Sequence, residues 1–211
     1  MIALRTVLLV CYGWLAAGMA AAAAPEIPEI LVVGDSLSAG YGIDVTRGWV
    51  NLLQRQLKHA GYPHRIINAS ISGDTTGGGL RRLPELLKTH TPAAVVLELG
   101  ANDGLRGVPL SEIEHNFTQL IERIRGSHAR TVVLRMRLPP NYGPDYIRGF
   151  DAIYDRLAGL GEDVSVAPFF LANVVLEPGL LQADGLHPTA DAQPRMLEAV
   201  WPTVVITLRK P

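Results

Sequence analysis

The chain contains the run Ile30-Leu31-Val32-Val33-Gly34-Asp35-Ser36-Leu37-Ser38, and the fold depends on how that run is read. Its four apolar residues predict a buried strand, which the glycine and the polar residues end abruptly. A serine at that point lies at the mouth of a sheet, where rigid elements can direct its hydroxyl at a substrate. The alternative is a polar turn in which Asp35 or Ser36 caps the next helix.

Length and charge limit the class of protein. A chain of 211 residues suits one domain with a substantial core. The formal net charge is −1, and Lys and Arg are scattered along the sequence. Because a protein that binds nucleic acid must neutralise phosphates with clustered cations, we expect no nucleic-acid partner.

The amino-terminal segment differs in composition from the rest. Arg5 precedes an apolar stretch, 6–19, and an alanine run, 20–24, ends at Pro25. This arrangement is typical of a secretory signal peptide and predicts one over residues 1–24. A permanent membrane anchor is the alternative, but the apolar stretch is shorter than the about 20 residues that a bilayer span needs.

Cleavage near Ala24 would release a mature domain over residues 25–211. The sequence therefore predicts a periplasmic or secreted protein without a stable membrane span after processing. Cys11 is the single cysteine and lies inside the predicted signal peptide. We expect a mature protein without disulfides, and we expect a monomer.

Strand-like and helix-like segments alternate along the mature chain. Short connections between them predict a parallel sheet covered by helices on both faces. The predicted strands are 29–33, 65–69, 93–99, 131–136 and 164–167, and the predicted helices are 46–60, 80–90, 111–126, 145–160 and 189–208.

The sequence makes three more specific predictions about these helices. Trp49 falls on the apolar stripe of the first helix, so we expect it in the core. Ser111 and Glu114 predict a capping box at the start of the third helix. Pro194 and Pro202 are expected to perturb the last helix.

Polar residues follow the predicted strands, at the edge of the sheet where ligands bind in parallel α/β proteins. In strand order they are Ser36, Gly73, Asn102, Asn141 with Tyr142, and Asp184 with His187. Residues of these types are the parts of a serine hydrolase.

The serine, histidine and aspartate could form a catalytic triad. A serine hydroxyl needs an adjacent base, and His187 can accept its proton and later transfer it to the leaving group. Asp184 lies three residues earlier and can hold the imidazole. For Asp184 and His187 the alternative is a surface turn that caps a helix.

A tetrahedral intermediate carries a negative oxygen that needs fixed hydrogen-bond donors. The backbone amides of Ser36 and Gly73 and the side-chain amide of Asn102 can supply three such donors. The alternatives are an Asx turn at Asn102 and an ordinary loop glycine at position 73.

Four blocks of this sequence resemble the blocks of the SGNH (GDSL) hydrolase family, in the same order and across essentially the whole mature chain. Segments 99–107 and 137–143 look most like the family's bacterial thioesterases, lysophospholipases and arylesterases. The four blocks are Gly34-Asp35-Ser36-Leu37-Ser38, Asn68-Ala69-Ser70-Ile71-Ser72-Gly73-Asp74-Thr75, Gly100-Ala101-Asn102-Asp103-Gly104 and Asp184-Gly185-Leu186-His187-Pro188.

The resemblance implies a flavodoxin-like, three-layer α/β/α sandwich with a five-stranded, mainly parallel sheet. It implies Ser36 as nucleophile, His187 as base with Asp184 as its partner, and Gly73 and Asn102 as oxyanion donors beside the Ser36 amide. It also implies hydrolysis of acyl esters and thioesters, including lysophospholipids and aryl or short-chain esters, without a cofactor or a metal.

Residues that could contact the substrate are less sharply defined. The segment 74–79 carries three consecutive glycines, so we expect a permissive loop that moves when an acyl chain binds. Apolar side chains at the same edge, such as Leu138, Phe169 and Phe170, could line an acyl groove, although each could equally be core. The candidate substrate-binding residues are Asp74, Thr75, Gly78, Leu105, Asn141 and Tyr142.

Other classes of function remain open at this point. A metal-dependent hydrolase is disfavoured because the six histidines include no His-x-x-x-His pair. A non-catalytic acyl-binding protein would not need the Ser, His and Asp set. A carbohydrate deacetylase stays possible within the same family. An α/β-hydrolase elbow is disfavoured because Ser38 occupies the position of the second glycine in Gly-x-Ser-x-Gly.

Overall fold

A computed structural model describes residues 27–209. The predicted signal peptide and its cleavage site near Ala24 lie outside the described residues. The strands are β1 Glu29–Gly34, β2 Arg65–Asn68, β3 Pro92–Glu98, β4 Arg130–Leu134 and β5 Val164–Ala167.

Between residues 27 and 209, seven α-helices and three single turns of 3-10 helix accompany the strands. The 3-10 turns are Val45–Arg47, Pro140–Tyr142 and Ala190–Ala192. The α-helices are α1 Ser36–Ala39, α2 Trp49–His59, α3 Thr76–Thr89, α4 Ala101–Leu105, α5 Leu110–Gly126, α6 Pro144–Leu157 and α7 Gln193–Arg209.

The five strands form one sheet in the order β2-β1-β3-β4-β5, and every neighbouring pair is parallel. The chain moves from β1 to one edge and then crosses back through β3 to the other. Because parallel crossovers are right-handed, that reversal places helices on both faces of the sheet. Helix α2 packs against α7, whereas α3 packs against α5 and α5 against α6. The predicted three-layer α/β/α, flavodoxin-like fold is confirmed, with a sheet that is fully parallel.

The core forms around the central strands. The side chains at 30–33 in β1 and 95–97 in β3 are completely buried, as expected for a sheet covered on both faces. The prediction for Trp49 is confirmed, because it is completely buried and packs edge-on against Phe170, with ring centroids 5.3 Å apart. Phe170 and Leu138 belong to this core and not to a groove.

Two short helices, α1 and α4, do not follow from the sequence pattern. Each begins directly after or close to the end of a strand and has four or five residues. A helix of one turn contains too few positions to show an apolar periodicity. These two helices carry Ser36 and Asn102 and therefore shape the site.

Helix boundaries differ from prediction at the starts of α5 and α2. The predicted capping box of Ser111 and Glu114 is wrong: α5 begins at Leu110 after Pro109, without a side-chain cap, and Glu114 instead pairs with Arg156 of α6. The predicted helix 46–60 begins as the 3-10 turn Val45–Arg47 before α2.

The glycine-rich segment is largely helical. Helix α3 begins at Thr76, so Gly77, Gly78 and Gly79 form its first turn, and the prediction of a loop through residue 79 is wrong. The Thr75 hydroxyl caps this turn by accepting a hydrogen bond from the Gly78 N–H at 3.1 Å. A good cap offsets the low helix propensity of the three glycines.

The two prolines at the carboxyl end perturb α7 less than expected. Pro194 is the second residue of α7, where a backbone N–H has no partner within the helix. Pro202 lies inside the helix, which nevertheless continues to Arg209. Between residues 27 and 209, none of the helices combines the length and apolar character that crossing a bilayer requires.

Candidate active site

The site lies where the strand order reverses. β1 and β3 are neighbours in the sheet, and their following connections run in opposite directions along it. This reversal opens a crevice at the carboxyl ends of the strands. Ser36 is the first residue of α1 after β1, and Asn102 lies in α4 after β3.

Asp35 fixes the start of α1. Its Oδ1 atom accepts a hydrogen bond from the Leu37 N–H at 3.0 Å, which makes Asp35 the N-cap. The capping interpretation of the Gly-Asp-Ser run is therefore correct for Asp35, and it is compatible with the nucleophile role predicted for Ser36. The backbone N–H of the first helical residue has no partner within a helix, so the Ser36 N–H is available to a ligand.

Ser36, His187 and Asp184 form a continuous chain of hydrogen bonds. His187 Nε2 lies 2.9 Å from Ser36 Oγ, and His187 Nδ1 lies 2.7 Å from Asp184 Oδ2. The Oδ1 atom of Asp184 also accepts the backbone N–H groups of His187 at 3.0 Å and Leu186 at 2.9 Å.

These hydrogen bonds keep Asp184 ionised. The His187 and Leu186 N–H groups, followed by the His187 imidazole, lower the pKa of the Asp184 carboxyl from its ordinary 3.8 to about 2. An ionised Asp184 accepts the Nδ1 proton of the imidazole and leaves Nε2 free to face the serine.

Two residues that the sequence did not indicate hold the His187 loop. Gln182 donates its backbone N–H to the His187 carbonyl at 2.7 Å, and its side chain donates to the Tyr41 carbonyl at 2.9 Å. The Tyr41 ring lies 4.4 Å from the His187 ring, between centroids. The loop after β5 is thus fixed to the loop after α1, a pairing across the chain that no local motif signals.

Gly73 lies in a tight turn after β2. Within the turn, the Asp74 N–H donates to the Ile71 carbonyl at 3.0 Å. The Ile71 N–H donates to the Gly34 carbonyl at 3.0 Å and so attaches the turn to the end of β1. Gly73 has a φ of 78°, which favours glycine. Arg106 donates to the Gly73 carbonyl at 2.9 Å and so connects this turn to the end of α4.

Asn102 is oriented by Asp35. Its Nδ2 atom donates to Asp35 Oδ2 at 2.8 Å. A side-chain amide carries two N–H donors, so this hydrogen bond leaves the second donor for a ligand. Since Asp35 directly precedes Ser36, Asn102 is held beside the serine.

Glu98 lies beneath these groups and was not identified from the sequence. It is the last residue of β3 and is completely buried. Its Oε2 atom accepts the Ser38 hydroxyl at 2.7 Å and the Asp35 N–H at 3.1 Å. A Cβ atom on Gly34 would lie 2.8 Å from that oxygen, so the glycine permits the approach. The one available signal was a lone charge in an otherwise apolar strand.

The predicted substrate-binding residues of the second block are engaged within the protein. Asp74 forms an ion pair with Arg82 at 2.8 Å, and the Arg82 guanidinium also donates to the Ala69 carbonyl. Thr75 caps α3, and Gly78 is buried in its first turn. For Asp74, Thr75 and Gly78 a contact with substrate stays a prediction.

Two of the other candidates, Leu105 and Tyr142, meet at the end of α4. Tyr142 donates its hydroxyl to the Leu105 carbonyl at 2.9 Å, which joins the loop after β4 to the end of α4. Leu105 and Tyr142 are half-buried and Asn141 is exposed. Their roles toward a substrate also stay predictions. Among residues 27–209, no group of three or more His, Cys, Asp or Glu side chains is placed to hold a metal ion.

The Ser36 hydroxyl lies in the crevice of a parallel α/β sheet and can pass its proton to a fixed imidazole. This arrangement is typical of serine hydrolases. Comparison with known proteins agrees with that class. The chain belongs to the GDSL-like lipase/acylhydrolase family, whose sequence pattern matches residues 32–193. It is an SGNH-type carboxylic ester hydrolase.

Named relatives cover most of the chain. Esterase TesA of Pseudomonas aeruginosa is 50% identical over 175 residues, which are 83% of this chain and 87% of the relative. Thioesterase 1/protease 1/lysophospholipase L1 of Escherichia coli K12 is 44% identical over 165 residues, 78% of this chain and 77% of the relative. A crystal structure of TesA superposes with a TM-score of 0.82 at 49% identity, covering 85% of this chain and 99% of that one.

Proposed function

We propose that this enzyme hydrolyses acyl esters and thioesters through an acyl-enzyme intermediate on Ser36. The observation that carries the proposal is the hydrogen-bond chain from Asp184 through His187 to Ser36, with both links shorter than 3.0 Å. In this arrangement Ser36 is the nucleophile, His187 the general base and Asp184 the group that holds the imidazole.

Acylation begins when Ser36 Oγ attacks the carbonyl carbon of the substrate. The Oγ proton passes to His187 Nε2 as the new C–O bond forms. The carbonyl oxygen becomes an oxyanion, which the Ser36 and Gly73 N–H groups and the free Asn102 N–H donor stabilise. When the intermediate collapses, the C–O or C–S bond to the leaving group breaks and His187 returns the proton to the departing oxygen or sulfur.

Deacylation repeats these steps with water. His187 takes a proton from a water molecule, whose oxygen attacks the acyl carbon and forms a second oxyanion in the same place. Collapse then breaks the bond between the acyl carbon and Ser36 Oγ, and His187 returns the proton to the serine. The products are a carboxylic acid and the free enzyme.

Apolar side chains around the triad favour acyl chains as substrates. Tyr41, Ile71 and Leu186 are 53%, 54% and 50% exposed, and they flank His187 or the Gly73 turn. Large apolar side chains exposed together beside a reactive serine suit a hydrocarbon better than a sugar. Relatives named as a thioesterase and a lysophospholipase support thioesters and lysophospholipids within the proposed substrate range.

The processing of the chain is part of the proposal. Residues 1–24 would direct export and be removed near Ala24, and the catalytic domain over 25–211 would act as a monomer in the periplasm or outside the cell. The charged Arg5, the apolar stretch and the small residues before Pro25 support it. Amino-terminal sequencing of the exported protein tests the cleavage site.

Covalent labelling tests the proposed nucleophile. A fluorophosphonate reacts with an activated serine, and intact mass followed by peptide mapping should place one adduct on Ser36. Ser36→Ala should remain unlabelled, whereas Ser72→Ala, at an exposed neighbouring serine, should label at the wild-type rate. An adduct elsewhere, or equal labelling of Ser36→Ala, would refute the assignment.

Substrate class is tested by matched acyl compounds. The proposal expects higher kcat/KM for a medium-chain thioester and a lysophospholipid than for an acetylated sugar. A clear preference for the acetylated sugar would favour a carbohydrate deacetylase with the same triad.

A further inference from the structure

Two carboxyl groups lie side by side below the nucleophile, on the last residue of β3 and at the N-cap of α1. We propose that Glu98 is a positioning residue for hydrolysis, whose protonated carboxyl holds Asp35 as the carboxylate that orients the Asn102 amide. The inference rests on the proposed function, because it gives Asn102 the role of an oxyanion donor.

The two carboxyl oxygens of Glu98 have different surroundings. Oε2 accepts two hydrogen bonds, from the Ser38 hydroxyl at 2.7 Å and from the Asp35 N–H at 3.1 Å. Oε1 is equally buried, yet within residues 27–209 no donor reaches it. A buried carboxylate oxygen without a donor is costly, whereas a proton on Oε1 turns that atom into a donor.

The burial and charge of the two carboxyl groups indicate which of them carries the proton. Burial raises the pKa of Glu98 well above its ordinary range, and the negative charge of Asp35 raises it further. Burial raises the pKa of Asp35 as well, but the Leu37 N–H, the Glu98 carboxyl and the Asn102 amide oppose that rise. The proton therefore resides on Glu98, whose Oε2 atom holds the Asp35 backbone N–H, and Asp35 remains the carboxylate.

Asp35 connects Glu98 to the residues that act on the substrate. As a carboxylate, Asp35 accepts the Leu37 N–H at 3.0 Å through Oδ1 and the Asn102 Nδ2 at 2.8 Å through Oδ2. The first contact fixes the helix that begins at Ser36. The second fixes the plane of the Asn102 amide and hence the direction of its other N–H.

Protonation of Glu98 also matters for charge. An oxyanion forms next to Asn102 during the reaction, and a nearby negative charge opposes it. With Glu98 neutral, the pair presents one negative charge, and the Leu37 N–H and Asn102 Nδ2 donate hydrogen bonds to that charge on Asp35. With Glu98 ionised, two unshielded charges would face each other and the oxyanion.

Two substitutions separate these possibilities. Glu98→Gln keeps the acceptor for Asp35 and Ser38 and replaces the acidic proton with an amide donor, so it imitates the neutral acid. Glu98→Met has a similar length but offers no hydrogen bond. Thr131→Val serves as the control. The Thr131 hydroxyl belongs to the neighbouring strand β4, is completely buried, and has no hydrogen-bond partner among residues 27–209.

The proposal expects Glu98→Met to lower kcat about 10- to 100-fold with KM changed by less than about threefold, because the donor acts on the transition state. Glu98→Gln should recover at least about tenfold of that loss, and Thr131→Val should keep the wild-type kcat. Equal kcat in wild type and folded Glu98→Met, checked by near-UV circular dichroism, would overturn the proposal. Equal loss in Glu98→Gln and Glu98→Met would overturn it as well.

Infrared difference spectroscopy supplies a readout that does not depend on activity. The spectrum of wild type minus Glu98→Gln at pH 7 should contain the C=O stretch of a protonated carboxylic acid. Carboxylate bands alone would overturn the proposal, even if every variant folds. Failure of the proposed function is distinguishable, since Ser36→Ala with full activity would refute it while leaving the carboxylic-acid band in place.

Discussion

His187 Nε2 lies 2.9 Å from Ser36 Oγ, although 151 positions of sequence separate the two residues. The contact exists because both residues follow strands of one parallel sheet, whose carboxyl ends share an edge. Helix α1 then orients the Ser36 side chain, and the turn held by Asp184 orients the His187 side chain. The proposed chemistry depends on this distance more than on any other in the molecule.

Asp184→Asn should lower kcat about 10²- to 10⁴-fold. Asparagine can still accept the Leu186 and His187 N–H groups, but its amide cannot accept the Nδ1 proton, so the imidazole takes the wrong tautomer. Steady-state kinetics on an aryl ester measure the effect. Wild-type turnover by Asp184→Asn would contradict the role of Asp184.

The pH dependence of the wild-type enzyme follows from the same carboxylate. A carboxyl with a lowered pKa stays charged until the pH falls below that value, which for Asp184 is about 2. Activity that is lost on the acid side at a pH well above 2 is therefore not explained by protonation of Asp184. An NMR titration that finds the Asp184 carboxyl protonated at the pH where activity is first lost would contradict this expectation.

Asn102→Ala should lower kcat about 10²- to 10³-fold with a small effect on KM, because its amide acts on the oxyanion. The change also removes the donor to Asp35, so a folded protein must be verified by its melting temperature. Asn51→Ala, on the exposed face of α2, is the control and should retain wild-type kcat. A KM effect without a kcat effect would assign Asn102 to ground-state binding.

Two glycines in the first turn of α3 should respond oppositely to alanine. A Cβ atom on Gly77 would meet its nearest neighbours at 3.6 Å, so Gly77→Ala should stabilise the fold by about 0.5 kcal/mol through helix propensity. A Cβ atom on Gly79 would lie 2.6 Å from Leu99 Cδ1 in the core, so Gly79→Ala should destabilise by about 1–3 kcal/mol. Urea unfolding of both variants measures the signs, and a stabilising Gly79→Ala would contradict the packing described.

Glu98 should make stability fall as the pH rises. Above pH 4.5 the unfolded chain ionises this carboxyl while the folded protein keeps it protonated, so the unfolded state binds fewer protons. Wild type should therefore lose up to about 1.4 kcal/mol per pH unit relative to Glu98→Gln, until the folded carboxyl titrates. The other ionisable groups around it, present in both proteins, are Asp35, Asp103, Tyr154, Arg82 and His187.

Denaturant unfolding of both proteins between pH 4.5 and pH 8 tests the slope. A constant difference between wild type and Glu98→Gln across that range would mean that Glu98 ionises in the folded state as it does in the unfolded one.

The sequence predicted the sheet and the three groups of the hydrogen-bond chain because their signals are local. Apolar runs mark β1 and β3, and Asp184 and His187 lie within one turn. The buried layer below was not predictable in the same way. Glu98 contacts Asp35 across 63 positions and Ser38 across 60, and Gln182 contacts Tyr41 across 141. Such pairs depend on strand order and register, which no short motif encodes.

The start of α3 shows a different limit. Three consecutive glycines predict a loop from propensity alone, yet the Thr75 cap and the packing of Gly79 against Leu99 stabilise a helix there. Tertiary packing outweighed local propensity at this point. The capping box at Ser111 failed for a related reason, since Glu114 gains an ion pair with Arg156 of the neighbouring helix.

The role of Ser36 as nucleophile is tested most directly by pre-steady-state hydrolysis of a p-nitrophenyl acyl ester series. The mature protein and its Ser36→Ala variant are compared. We expect a burst of nitrophenol with an amplitude near one per active site where deacylation is slower than acylation. We also expect a systematic dependence on chain length and the loss of both phases in Ser36→Ala. Full activity of Ser36→Ala would contradict the assignment of the nucleophile and of the site built around it.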